Sequence, residues 1–309
     1  MLNFYERQRR NRRQTWLLMA GFVALFLLLG IALDLEVTGF PLEEGSVPLL
    51  TLGALAFSGG LSALSYYKGG DLIMTTLMAM PIDEKNEEHR QFRNIATEMS
   101  LAAGLCLPRL YVIPDPSPNA LATGRDPAHA TIAITHGALV LLDREETQGV
   151  IAHEMSHIAN RDTLLMTMVA VLLGGVVMMA DWGRRSLYFS RRDRKDGPPW
   201  LALIALLLVA FSPLLSRLLA MAVSRQREYL ADATAVELSR NPIGLARALE
   251  KIAATQSPLR RASRGTAHMF ISDPLRRRSD DSSSKLADLF STHPPLAQRI
   301  ALLRGHDRM

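Results

Sequence analysis

Four long uncharged apolar stretches limit what this chain can fold into. Trp16–Leu33 carries no charge over 18 residues and Val47–Tyr67 none over 21; Thr163–Ala180 and Trp200–Ser216 are similarly clean. Each is near the length a helix needs to cross a hydrocarbon core of about 30 Å. The balance of 48% hydrophobic to 21% charged residues is unusual for a soluble protein and agrees with membrane segments. The first stretch is a poor secretory signal. It is long, and its end at Leu33-Asp34-Leu35-Glu36 has no small-residue cleavage site, so it reads as a retained anchor.

Charge sets an expected orientation. Residues 1–15 carry five arginines, and the 34–46 loop carries four acids with no basic residue. The positive-inside rule puts the N-terminus in the cytoplasm and that loop outside, so 68–162 returns to the cytoplasm. The 181–199 loop is harder to place, with six basic residues against three aspartates. Either the third and fourth stretches cross and the earlier segments dominate, or they are partly re-entrant and the loop stays cytoplasmic. The net charge of +5 is concentrated at the N-terminus, in 181–199 and around 260–278. Such clusters fit anionic lipid head groups; no nucleic-acid motif and no glycine-rich phosphate loop accompanies them. The single cysteine, Cys106, cannot form an internal disulfide and reads as a small buried apolar residue.

The chemistry is carried by His153-Glu154-Met155-Ser156-His157. Two histidines four apart on a helix project from one face, about one turn apart. Both imidazoles then reach one zinc ion while the intervening glutamate stays beside the metal-bound water. A helix with two surface histidines would show the same letters, but the flanks favour the metal. Asp143 and Glu146 make a capping box ahead of the helix, and Val150, Ile151, Met155 and Ile158 give it a buried side. Hydrolytic zinc usually has three protein ligands and an open position. Glu228, in the helical run from Ser224 to Leu238, is the candidate third ligand. Asp232, four residues on and on the same face, is placed to accept a hydrogen bond from the far nitrogen of a ligand histidine and fix its orientation. A solvated charged helix is the competing reading of this segment.

These motifs resemble the HtpX family of membrane-embedded zinc metallopeptidases, related to the CAAX prenyl proteases. The resemblance rests on Asn119–Gly124, Ala152–Asp162, Ser224–Asp232 and Ser291-Thr292-His293-Pro294-Pro295 followed by Arg299, and it covers nearly the whole length. Leu121 stands where the family usually carries Phe. The resemblance implies four spans, one zinc per chain, Arg299 near the metal as an oxyanion stabiliser with His293 close by, and quality control of damaged or misassembled membrane proteins under stress.

The expected fold is mainly α with a small β-sheet, a zincin-like metallopeptidase domain combined with four hydrophobic membrane helices. Residues 1–67 form an N-terminal membrane hairpin, 68–162 a cytoplasmic part ending in the metal helix, 163–223 a second hairpin, and 224–309 a C-terminal cytoplasmic part with the third ligand. Residues 83–103 read as a helix starting near Asp83 and ending at Gly104. Leu110–Ile113, Asn119–Thr123 and Ala130–Thr135 read as strands, the last two joined by a turn at Gly124-Arg125-Asp126-Pro127. Asn119, Ala120 and Leu121 are the candidate substrate-binding residues, on an edge strand that accepts a peptide backbone as an added strand. Residues 255–285 read as a loop in which Phe270 and Ile271 are apolar islands.

The expected function is that of a zinc endopeptidase of the cytoplasmic membrane, with its active site facing the cytoplasm. Its expected partners are the bilayer and unfolded or membrane-protein polypeptides; oligomeric state stays open. Glu154 is the general base and then acid. Two other readings stand beside it. One is a processing peptidase of the prenyl-protease type. The other is a membrane adaptor with a structural zinc, which normally has four ligands and usually cysteines.

Overall fold

The computed structural model describes residues 4–38, 47–193, 225–255, 257–263, 265–275 and 294–306. The fourth apolar stretch, Trp200–Ser216, and His293 lie outside these residues, as do Ser224, residues 39–46 of the acidic loop and 194–199 of the basic one; residues 181–193, expected as loop, continue a helix.

Two helices open the chain, α1 (Phe4–Thr38) and α2 (Leu49–Thr76), and they pack side by side. Asp34 near the end of α1 accepts hydrogen bonds from the backbone N–H groups of Leu50 and Thr51, satisfying orphan donors at the start of α2. Both helices are long and apolar enough to cross a membrane, over Gln8–Leu35 and Leu49–Thr76, and little of their most apolar stretches is buried in the protein. Trp16, Leu17, Leu28, Leu49 and Leu52 stand exposed on them. Apolar area of this extent suits lipid rather than water.

The third apolar stretch lies on α6 (Asp162–Asp193). Its first half does not face outward: Met168 and Leu172 pack with Phe22 and Phe26 of α1, and Met166 and Ala170 pack under residues 259–270. The helix before it, α5 (Arg144–Ala159), meets it at an angle of 87° across a two-residue break, where Arg161 has φ 58°. Length and composition therefore give two spans among the described residues, or three if this bent pair is one broken span. The expectation of four is met only that far.

Between the two helical groups lies a four-stranded sheet in the order β1 (Met80–Pro81), β2 (Arg109–Ile113), β4 (Ala130–Thr135), β3 (Ala120–Gly124). β2 and β4 are parallel, and the other pairs are antiparallel. Residues alternate between two cores. Val112, Ala122, Ile132 and Ile134 face α3 (Glu87–Ala103) and α5; Ile113, Leu121 and Ala133 face the end of α2, α6 and Phe270. Burial on both faces explains strands with little polar alternation.

The expected helix 83–103 begins four residues late, because the Asn86 side chain caps it at His89 N–H; Gly104 ends it in the left-handed region at φ 65°, as expected. β1 and α4 (His136–Leu141) were not foreseen; both are short and depend on neighbours. Cys106 is exposed in the loop after α3, contrary to the buried reading.

After α6 come α7 (Arg225–Ser239), α8 (Pro242–Ala254) and α9 (Leu296–His306). α8 packs closely on α5 because Gly149 has no side chain. A Cβ there would lie 2.7 Å from the Leu245 nitrogen and 2.8 Å from its Cα. Since the obstacle is backbone, Gly149→Ala should destabilise the fold by about 1–3 kcal/mol. A denaturant melt of the variant against the parent measures this, and an unchanged midpoint would show that the helices can separate freely.

Candidate metal centre

Helix α5 presents both histidines. Asp143 accepts from Glu146 N–H and the Glu146 side chain accepts from Asp143 N–H, so the predicted capping box is present. The helix is buried nearly all round rather than on one side, from Glu146 to Ile158 with few breaks. Its polar residues therefore need partners inside the protein.

The two Nε2 atoms are 3.2 Å apart, and each lies 3.8 Å from an oxygen of Glu228 on α7. The three donors lie within 4.8 Å of one another, and all three residues are buried. Donors about 2.0–2.2 Å from a tetrahedral zinc stand roughly 3.3–3.5 Å apart, so the set fits such an ion. The far nitrogens are held too. His153 Nδ1 is 3.0 Å from Asp232 Oδ1, as the sequence predicts, and His157 Nδ1 is 3.1 Å from Asp162 Oδ2. Asp162 was missed. The signal for it was weak: an acid five residues beyond the second histidine, past the helix end, has no fixed direction until the chain turns.

Glu154 is buried between the histidines. Burial first, and then the charge of Glu228, push its carboxyl up to about 7, against the pull of His157 and Arg299. Its Oε2 has no hydrogen-bond partner among the described residues, a position suited to a water beside a metal. Burial pulls His157 down, but the Asp162 hydrogen bond and the charges of Glu228, Asp162 and Glu154 raise it to about 9. His153 moves the other way: burial and the nearby Arg299 and His157 outweigh Asp232 and lower it. Four buried carboxylates face the buried guanidinium of Arg299 and the half-buried one of Arg227 beside Asp162 and Glu228, and a divalent cation answers the remaining excess.

Arg299, on α9, is fully buried. Its Nε and Nη2 donate to the two oxygens of Asp232 at 2.7 and 2.6 Å, and Nη1 donates to Ile271 O at 2.8 Å and lies 3.4 Å from Glu228. Asp232 would rise on burial, yet Arg299 and His153 hold it below the usual carboxylate range. The guanidinium thus reaches the site, with its donors turned toward Asp232, Ile271 and Glu228.

Asn119 and β3 lie beside the metal helix, at the edge of the sheet as expected. The edge is not open along its length. Ala120 O accepts from Ile271 N–H at 3.0 Å, Leu121 bridges to Phe270, and the Asn119 amide donates to Ser272 O and accepts from its N–H. The apolar islands Phe270 and Ile271 are buried against this strand rather than lying in an exposed loop. A buried edge must pair its backbone groups, and these residues supply the partner.

A sequence profile of peptidase family M48 matches residues 84–307, which contain all of these groups. The chain belongs to peptidase family M48. It is 40% identical to the protease HtpX homolog of Dictyoglomus turgidum over 301 residues, 97% of this chain and 94% of that one. It is 42% identical to the protease HtpX homolog of Caldanaerobacter subterraneus subsp. tengcongensis over 307 residues, 97% of each. The crystal structure of S. mikatae Ste24p aligns with 97% of this chain and 67% of its own, at a TM-score of 0.47 and 16% identity. M48 membership makes this a metallopeptidase, and its apolar helices make it a membrane protein.

Proposed function

We propose that the chain is a zinc endopeptidase of the cytoplasmic membrane that cleaves extended segments of damaged or misassembled membrane proteins on the cytoplasmic side. The carrying observation is that two helices far apart in sequence bring His153, His157 and Glu228 together next to buried Glu154, whose Oε2 has no hydrogen-bond partner among the described residues. These three would hold one zinc. Bound there, zinc lowers the pKa of water and polarises the scissile carbonyl. Glu154 takes a proton from the attacking water and delivers it to the leaving amine. Asp232 and Asp162 keep the histidines pointed inward. With its donors engaged, Arg299 is better read as the residue that positions Asp232 than as a direct oxyanion donor, and its charge still acts across the site. His293, the other residue expected near the metal, lies outside the described residues.

Substrate would add as a strand beside Asn119, Ala120 and Leu121. Because Phe270–Ser272 now pair with that edge, the incoming backbone takes it by exchange with them. Backbone pairing carries little sequence information, so access selects the substrate. The site lies beside the cytoplasmic end of the first span, within reach of segments leaving the bilayer.

The test is to map cut sites in several unrelated membrane proteins in cells making this chain. Cuts should fall in cytoplasmic juxtamembrane segments with weak residue preference, and should vanish where the segment is replaced by a stable folded domain. Cuts confined to one strict motif would favour a processing peptidase. Cuts in outward-facing loops would overturn the orientation.

A further inference from the structure

The geometry points to Asn11 of the first membrane helix as a positioning residue for the metal site, acting on His157 through Asp162. The inference rests on the metallopeptidase reading of that site.

Helix α1 begins among arginines that would be expected to face lipid or water. Asn11 does neither: it is buried, as is Thr15 one turn further on. Its Nδ2 donates to Asp162 Oδ1 and, at 3.0 Å, to the carbonyl of Asn160. Gln8, three residues earlier and so on the same side of α1, donates through Nε2 to the carbonyl of Ala159 at 2.8 Å. Ala159 and Asn160 close α5, where a helix leaves carbonyls without internal partners. The start of the membrane helix therefore supplies the donors that end the metal helix. It does so within about one helical turn of residue 8, where the apolar window begins.

Asp162 is held at both oxygens. Oδ2 faces His157 Nδ1 and Oδ1 takes the Asn11 amide. With one oxygen pinned, the other cannot swing away from the imidazole, and the imidazole keeps Nε2 aimed at His153 and Glu228. A neutral amide suits the task. It fixes the carboxylate in place while leaving its charge for the histidine, whereas a cation at position 11 would compete for that charge. The metal site is thus scaffolded by five parts of the chain: α5, the start of α6, α7, α9 and α1. An outer partner of a metal ligand typically changes affinity by about 10–100-fold when removed.

The experiment uses the full chain in detergent. Zinc affinity is measured by competition with a chromogenic chelator for the parent, Asn11→Asp, Asn11→Ala and, as a control on the same helix, the exposed Arg12→Ala. Asn11→Asp is isosteric but turns the donor into an acceptor facing Asp162 Oδ1 and Asn160 O. Both Asn11 variants should bind zinc several-fold more weakly, short of the about 10–100-fold that loss of Asp162 itself would cause. Their cobalt-substituted forms should show altered visible bands; the metal-free protein loses a buried hydrogen bond and should melt somewhat lower, so the spectrum and the affinity carry the test. Arg12→Ala should match the parent in all three. Parent-like affinity and spectrum in Asn11→Asp and Asn11→Ala would overturn the inference, as would an equal loss in Arg12→Ala. Should Asn11→Asp fail to fold, the neutral Asn11→Ala decides alone. A parent that binds no zinc would instead sink the metal-site reading itself.

Discussion

A Glu154→Gln chain should bind zinc as the parent does and cleave peptides about 10²–10⁴-fold more slowly. The substitution keeps the shape of a side chain that is almost wholly buried, so packing against the neighbouring elements is preserved. It removes a buried carboxylate outside the ligand set whose Oε2 has no hydrogen-bond partner among the described residues. An amide cannot accept the proton of the attacking water or return it to the amine. The measurement is single-turnover cleavage of an unfolded membrane-protein segment, paired with metal analysis of the same sample. Cleavage within a few-fold of the parent would remove Glu154 from the reaction. Loss of zinc together with activity would recast it as a ligand.

Removing Glu228 should have the opposite signature. Glu228→Ala leaves two imidazole nitrogens 3.2 Å apart with no carboxylate opposite them. Zinc stoichiometry after dialysis should fall from one per chain toward zero, and activity with it. The loss of affinity should exceed the roughly 10–100-fold typical of an outer partner. Arg299 and Asp232 would still bind each other through two hydrogen bonds, so α7 and α9 stay joined and the fold should survive. A strong chelator should reproduce the phenotype in the parent, reversibly on adding zinc. Full zinc occupancy in Glu228→Ala would exclude that residue from the centre.

What was legible in advance was what local spacing encodes. Histidines four apart share a helix face wherever the helix sits, and the Asp143–Glu146 box and the Gly104 cap act over three or four residues. Glu228 and Asp232 share a face for the same reason. The strands were legible from apolar runs and turns, though boundaries slipped by a residue where pairing rather than propensity set them. The two apolar helices followed from length and the absence of charge.

Local spacing was enough to give a helix with two histidines four apart, a downstream acid and long apolar helices. It did so because helical periodicity and hydropathy act through near neighbours. What surrounds them follows from long-range packing. Asn11 meets Asp162 across 151 residues, Arg299 grips Asp232 across 67, and Ile271 pairs with a strand 151 residues earlier. None of these contacts has a spacing rule. Each arises because a polar group buried by the packing of distant elements must find a partner there, and which partner is near depends on how α1, α6 and α9 close around α5.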